Sequence, residues 1–168
     1  RYWGGSTGRP RELVSIKKQL EDWRTMINHL KERKSIDSRR IVLWGTALSG
    51  GYVLDIAAEF KNVQAVMAQV PFVDGAESAK LYPLQQLPKA LKLSSQDYMG
   101  GKVGMSPTTL PVVNPRELCF LPTQDAYLGY RSIINPDYYW SGEIPARLFF
   151  NLIRYRPIQN VRQINIPV

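Results

Sequence analysis

The first clear periodicity runs from Glu12 to Lys34. Leu13, Ile16, Leu20, Trp23, Ile27 and Leu30 recur at intervals of three and four, which predicts a helix with one apolar face. Lys17, Lys18, Glu21, Arg24, Lys31 and Glu32 occupy the opposite face, and the basic cluster of Lys31 to Lys34 suits a helix C-terminus. Asp37 and Ser38 then turn the chain into an apolar strand over 40–44, followed by a glycine-rich turn and a helix from about Gly50 to Phe60. Val63 to Val70 has the β-branched texture of a buried parallel strand, ended by Pro71 and turned away at Asp74-Gly75. Strand, helix and strand within this span predict a right-handed βαβ unit.

The remainder is less regular. Residues 1–11 read as a loop, structured because Tyr2 and Trp3 need burial. Eight of the twelve prolines fall within 76–155, which breaks that stretch into short pieces. Amphipathic fragments lie around Leu81 to Leu93, a short hairpin is expected within Lys102 to Val113, and a helix is expected over Ile144 to Tyr155. Tyr127, Tyr130, Tyr138, Tyr139, Trp140, Phe149 and Phe150 make this the aromatic part, and an insertion of this kind between sheet strands reads as a lid. Ile164, Ile166 and Val168 open a further apolar strand.

The turn after the first strand is the chemically distinctive feature. Gly45-Thr46-Ala47-Leu48-Ser49-Gly50-Gly51 has the outline of a nucleophile elbow, in which a serine sits on a strained strand-to-helix turn. Counting from the strand, the reactive position is 47, and it holds Ala. Small residues are needed two before and two after it, and Gly45 and Ser49 meet that need. In this register the Leu48 N–H is an oxyanion donor, and Ser49 caps the helix. A second register makes Ser49 the nucleophile, but places it one turn too late after the strand.

These residues resemble the α/β-hydrolase superfamily. The loop Arg1-Tyr2-Trp3-Gly4-Gly5-Ser6-Thr7-Gly8 is similar to one that follows an early strand in these enzymes. Ala68 to Gly75 resembles the next strand and its exit, and Tyr155-Arg156-Pro157 with Ile164 to Val168 resembles the return from lid to sheet. More narrowly, the combination is similar to fungal hydrolases and acyltransferases of polyketide pathways. The resemblance implies a mostly parallel central sheet with flanking helices and a mainly helical lid. It divides the chain into a core segment at 1–75, a lid at 76–155 and a return to the sheet at 156–168. The chain then reads as the middle of a larger enzyme, with the remaining segments of that enzyme as its partner and a homodimer as an open arrangement.

The superfamily uses a triad in the order nucleophile, acid, histidine. His29, the one histidine, precedes the elbow and reads as a helix-surface residue. Asp74 is the in-chain candidate acid, although an Asp before Gly is first of all a turn former. Ala47 is either a replaced serine or a natural loss. The expected activity is therefore hydrolysis or transfer of an acyl ester or thioester by the parent mechanism, on a bulky apolar acyl group, with this chain itself inactive. A binding module that kept the pocket and a serine peptidase on the same fold are the alternatives.

Composition narrows this further. The net charge of +8 reads as a solvated basic face, since no stacking aromatics or docking motif accompany it, and nucleic acid is not an expected partner. Its other reading is attraction to an anionic acyl donor, such as an acyl carrier protein or coenzyme A. No apolar run approaches the length of a membrane span. Cys119, the single cysteine, excludes an internal disulfide framework and offers no metal cluster, and no cofactor is expected. One free cysteine without a leader makes cytoplasmic the default location.

Overall fold

The computed structural model describes residues 1–135, 137 and 140–168. Tyr138 and Tyr139, counted above in the aromatic segment, lie outside the described residues. The chain divides into two compact units, Ile16–Ala76 with Arg154–Val168 and Arg1–Ser15 with Glu77–Ile153. The N-terminal loop is thus grouped with the proline-rich segment rather than with the elbow. Among the described residues no helix is long and apolar enough to cross a membrane.

The first of these units holds α1 (Ile16–Glu32), β1 (Ile41–Thr46), α2 (Leu48–Glu59) and β2 (Val63–Gln69). In α1, Ile16 and Ile27 are buried, and Leu20, Trp23 and Leu30 pack half-buried against the core. The helix starts at Ile16 rather than Glu12 because Glu12 has φ 60, outside any right-handed helix. Lys31 Nζ closes the other end, 4.7 Å from the centre of the Phe60 ring.

β1 and β2 pair in parallel, from Ile41 opposite Val63 to Thr46 opposite Gln69. β1 alternates, with Ile41, Leu43 and Gly45 buried and Val42, Trp44 and Thr46 exposed. α2 is buried around most of its circumference, and its Val53, Leu54, Ile56 and Ala57 join Ile27, Ile41, Leu43, Val63 and Val66 in one core. The expected strand at 164–168 is not formed. Two 3₁₀ turns, Pro157–Gln159 and Val161–Gln163, lead into an extended tail that makes one ladder-like bond, Val66 N–H to the Pro167 carbonyl at 2.9 Å. Ile164 and Ile166 still pack on the core.

A short helix, α3 (Gly75–Ser78), is divided between the two units, and the other unit holds α4 (Leu87–Lys102), β3 (Thr109–Pro111), α5 (Gln124–Ile133), β4 (Glu143–Pro145) and most of α6 (Leu148–Arg154). Two sequence expectations are corrected here. The β-branched patch forms no local hairpin, because β3 pairs antiparallel with the distant β4, where Leu110 and Ile144 are buried opposite each other. The last helix starts at Leu148, not Ile144. The N–H groups of Ala146 and Arg147 are taken by the Thr108 carbonyl (2.8 Å) and the Asp97 carboxylate (2.8 Å), so they cannot enter a helix running through Ile144.

Asp97 is the polar centre of this unit. It is 1% exposed and accepts from Thr108 N–H (3.0 Å), Arg147 N–H, Arg147 Nε (2.7 Å) and Arg147 Nη2 (2.8 Å). One turn before it, Ser94 donates to the Ala146 carbonyl at 2.8 Å. The N-terminal loop is ordered as expected. Tyr2 is buried with its ring over Gly8, and Arg11 donates to the carbonyls of Gly4 and Ser6. The aromatics mostly pack on one another, Tyr82 on Phe149 at 5.1 Å and Trp140 against Trp3 and Tyr130. Cys119 is buried, and burial pushes its thiol up from the usual value.

Candidate functional site

The candidate site is the carboxyl edge of β1 and β2. The last paired residues are Thr46 and Gln69, so Ala47 and Val70 are the next residues in register. Ala47 is exposed, with φ 51 and ψ −119, a conformation that L-residues rarely adopt outside strained turns. Its backbone is held on both sides by the exit of β2. Ala47 N–H donates to the Gln69 carbonyl (3.1 Å), and Phe72 N–H donates to the Ala47 carbonyl (2.8 Å), which also receives Gly51 N–H (3.3 Å). Thr46 Oγ1 adds a bond to Gln69 Oε1 at 2.7 Å.

The glycines explain why this turn is possible. A Cβ on Gly45 would lie 2.3 Å from the Ser49 carbonyl oxygen, and one on Gly51 would lie 2.3 Å from that of Phe72. A Cβ on Gly50 would lie 2.9 Å from Pro71 Cα. Glycine is therefore required for β1 to pass under the first turn of α2, and for α2 to approach the exit of β2.

Leu48 is the first residue of α2, so its N–H belongs to the leading donors that have no intrahelical partner. Ser49 lies half-buried inside the first turn and does not cap the helix. The N-cap is Ala47, with no side-chain cap bond. Asp74 is held by Arg156, whose Nε and Nη2 reach its two carboxylate oxygens at 3.0 and 2.8 Å, and its Oδ1 also receives Ala76 N–H at 2.9 Å. That is a turn anchored by an arginine fork. His29 is exposed on α1.

Against the first turns of α2 lies an aromatic layer that the sequence did not single out. Tyr155 stacks on Phe72 (6.2 Å, interplanar 1°) and tilts against Tyr52 (5.7 Å). Tyr52 donates to Gln19 Oε1 at 2.7 Å, and burial pushes its phenol well above the usual range. Burial, and then the neighbouring Asp55 carboxylate, push Tyr155 higher still. Asp55 Oδ1 accepts from Asn160 Nδ2 (2.8 Å), and the enclosed Tyr155 hydroxyl has the Asp55 carboxylate as its hydrogen-bonding neighbour. Removing a buried hydroxyl that donates to a carboxylate forfeits that bond and leaves the acceptor short of a donor. Tyr155→Phe is therefore expected to lower stability by about 1 kcal/mol in a thermal melt, and an unchanged or raised melting temperature would mean that this hydroxyl makes no bond to Asp55.

The fold around this edge matches known proteins over nearly its whole length. A crystal structure of the α/β hydrolase GrgF from Penicillium superposes on 98% of this chain and 55% of its own, with a TM-score of 0.79 at 24% identity. The chain has the α/β-hydrolase fold. In sequence, this hydrolase-fold chain is 36% identical to the quorum-quenching protein AidA of Acinetobacter baumannii, over 100% of the chain and 56% of that protein. It is 23% identical to the thiohydrolase aneE of Aspergillus aculeatus, over 96% of the chain and 53% of that protein. With the polyketide transferase grgF of Penicillium it shares 31% identity over 66% of the chain and 36% of that protein. It thus resembles fungal polyketide transferases and thiohydrolases, and its ancestry is enzymatic. No protein-family profile matches it. The chain spans about half the length of the curated relatives it matches first.

Proposed function

We propose that the carboxyl edge of β1 and β2 is the acyl site of a hydrolase or acyltransferase, with residue 47 at the nucleophile position. The backbone of Ala47 carries this reading, since positive φ at a pinned strand-to-helix turn lifts a single side chain clear of the sheet. In the parent chemistry a serine hydroxyl at 47 attacks the carbonyl of an ester or thioester. The Leu48 N–H faces the developing oxyanion, the alcohol or thiol leaves with a proton, and water or an alcohol accepts the acyl group. Relatives named thiohydrolase and polyketide transferase favour a bulky polyketide-like acyl thioester, delivered on a carrier protein or coenzyme A. Asp74 serves the turn rather than a triad, because its carboxylate is already engaged by Arg156.

Ala47 has no hydroxyl, so the chain as written binds without serine turnover. Ala47→Ser in the intact protein should release thiol from an acyl thioester in a stoichiometric burst. A folded variant that gives no burst rejects the nucleophile assignment. A second reading, a binding module that has lost its chemistry, is favoured by Ala47 itself. It requires Ala in the native gene and acyl binding without turnover.

A further inference from the structure

We propose that Val70 is a specificity residue of this site, which contacts the apolar part of the acyl group next to its carbonyl; this rests on the acyl reading of the carboxyl edge. Four described non-glycine residues have positive φ: Tyr2, Glu12, Ala47 and Val70. Val70 (φ 40) is the one among them with a β-branched side chain, the type that tolerates this region least. Pro71 follows it and restricts its backbone further.

The backbone strain has an evident purpose. The turn at residue 70 lets the Gln69 carbonyl and the Phe72 N–H both reach Ala47, at 3.1 and 2.8 Å. That requirement fixes a backbone shape, and glycine would meet it with less strain. The valine side chain needs a separate explanation. Among the described residues it is 77% exposed and stands outside the core cluster. The fold thus carries an exposed branched aliphatic group on a strained residue, beside the residue assigned as the nucleophile position. In open α/β sheets, ligands lie beyond the carboxyl ends of the strands, where residues 47 and 70 both stand in register. An apolar group bound there covers the Val70 methyls and gains their burial. A branched side chain at that point also narrows the space beside the reacting carbon, which favours straight acyl chains over chains branched at the α-carbon.

The test uses two variants and two unreactive probes. Val70→Gly and Val70→Asn both accept positive φ, so neither should lower the melting temperature. The probes are ketone analogues of acyl N-acetylcysteamine thioesters, with methylene in place of sulfur, one straight-chained and one α-methyl-branched. Calorimetry on the parent protein should show binding of the straight analogue in preference to the branched one. Both variants should lose roughly tenfold in affinity for the straight analogue, the scale of one lost aliphatic contact, and the preference should shrink in Val70→Gly. Unchanged affinities and preference in both variants would overturn the assignment of Val70 and leave the acyl reading standing. A melting temperature that falls together with affinity would also overturn it, because Val70 would then be structural. A parent that binds neither analogue would overturn the acyl reading, and Val70 with it.

Discussion

Asp97→Ala is expected to destabilise the unit containing α4, β3 and β4 by about 3–5 kcal/mol, the usual consequence of leaving a buried charge without its partner. The four donors that meet Asp97 come from two places in the chain: Thr108 before β3, and the backbone and guanidinium of Arg147 between β4 and α6. Truncation would strand all of them at once. The Arg147 side chain is 18% exposed, so water can reach little of the guanidinium. It cannot swing onto α4 either, because it already occupies the space over Gly101, where a Cβ would lie 2.2 Å from Nη1. Denaturant titration should read the loss, and amide exchange should show Thr108 and Arg147 losing protection first. Replacing both partners, Asp97→Leu with Arg147→Met, should cost clearly less than Asp97→Ala alone, since no unpaired charge then remains. A single-variant loss below about 1 kcal/mol would mean that this network does not hold the unit together.

The same network marks where the sequence stopped being readable. The stripe of α1 was legible because one helix carries it on one face. The sharp turn between β1 and α2 was legible because its glycines answer to steric needs in the turn itself and at the exit of the next strand: Gly45 to Ser49, Gly50 to Pro71 and Gly51 to Phe72. The pairing of Leu110 with Ile144 was not, since nothing local to 102–113 announces a partner so far along the chain. The helix expected through Ile144 failed for a related reason. Asp97 and Thr108 take backbone donors that local periodicity assigns to a helix.

Spacing put residue 47 on the turn and Leu48 at the start of α2, but it made Ser49 a cap, whereas Ser49 lies inside the first turn, and it said nothing of the surroundings. Arg156 lies 82 residues from the Asp74 it clamps, and Tyr155 meets Phe72 across a similar gap. Val70 was hidden by its own chemistry, because a β-branched residue closing the run from Val63 reads as one more strand position. Its positive φ follows from two hydrogen bonds to Ala47, and no residue-level propensity encodes those.

Gly51→Ala is expected to cost about 3 kcal/mol and to loosen the turn at residue 47, the upper range for forcing one methyl into a filled site. The new Cβ would lie 2.3 Å from the Phe72 carbonyl oxygen, 3.1 Å from Pro157 Cγ and 3.2 Å from Tyr155 Cε1. The nearest of these is backbone, which cannot rotate away as a side chain can. Phe72 therefore has to move, and its N–H is the group that holds the Ala47 carbonyl at 2.8 Å. Relief of the clash and retention of the strained turn exclude each other, so acyl binding at the edge should weaken along with stability. Gly129→Ala provides the opposite sign. Gly129 lies in α5 with nothing within 4 Å of the place a methyl would take, and there alanine should stabilise the helix by up to about 1 kcal/mol. Thermal melts of the two variants beside the parent separate steric need from mere presence of glycine. If Gly51→Ala melts with the parent, α2 does not approach Phe72 closely, and the pinning of residue 47 is lost with that contact.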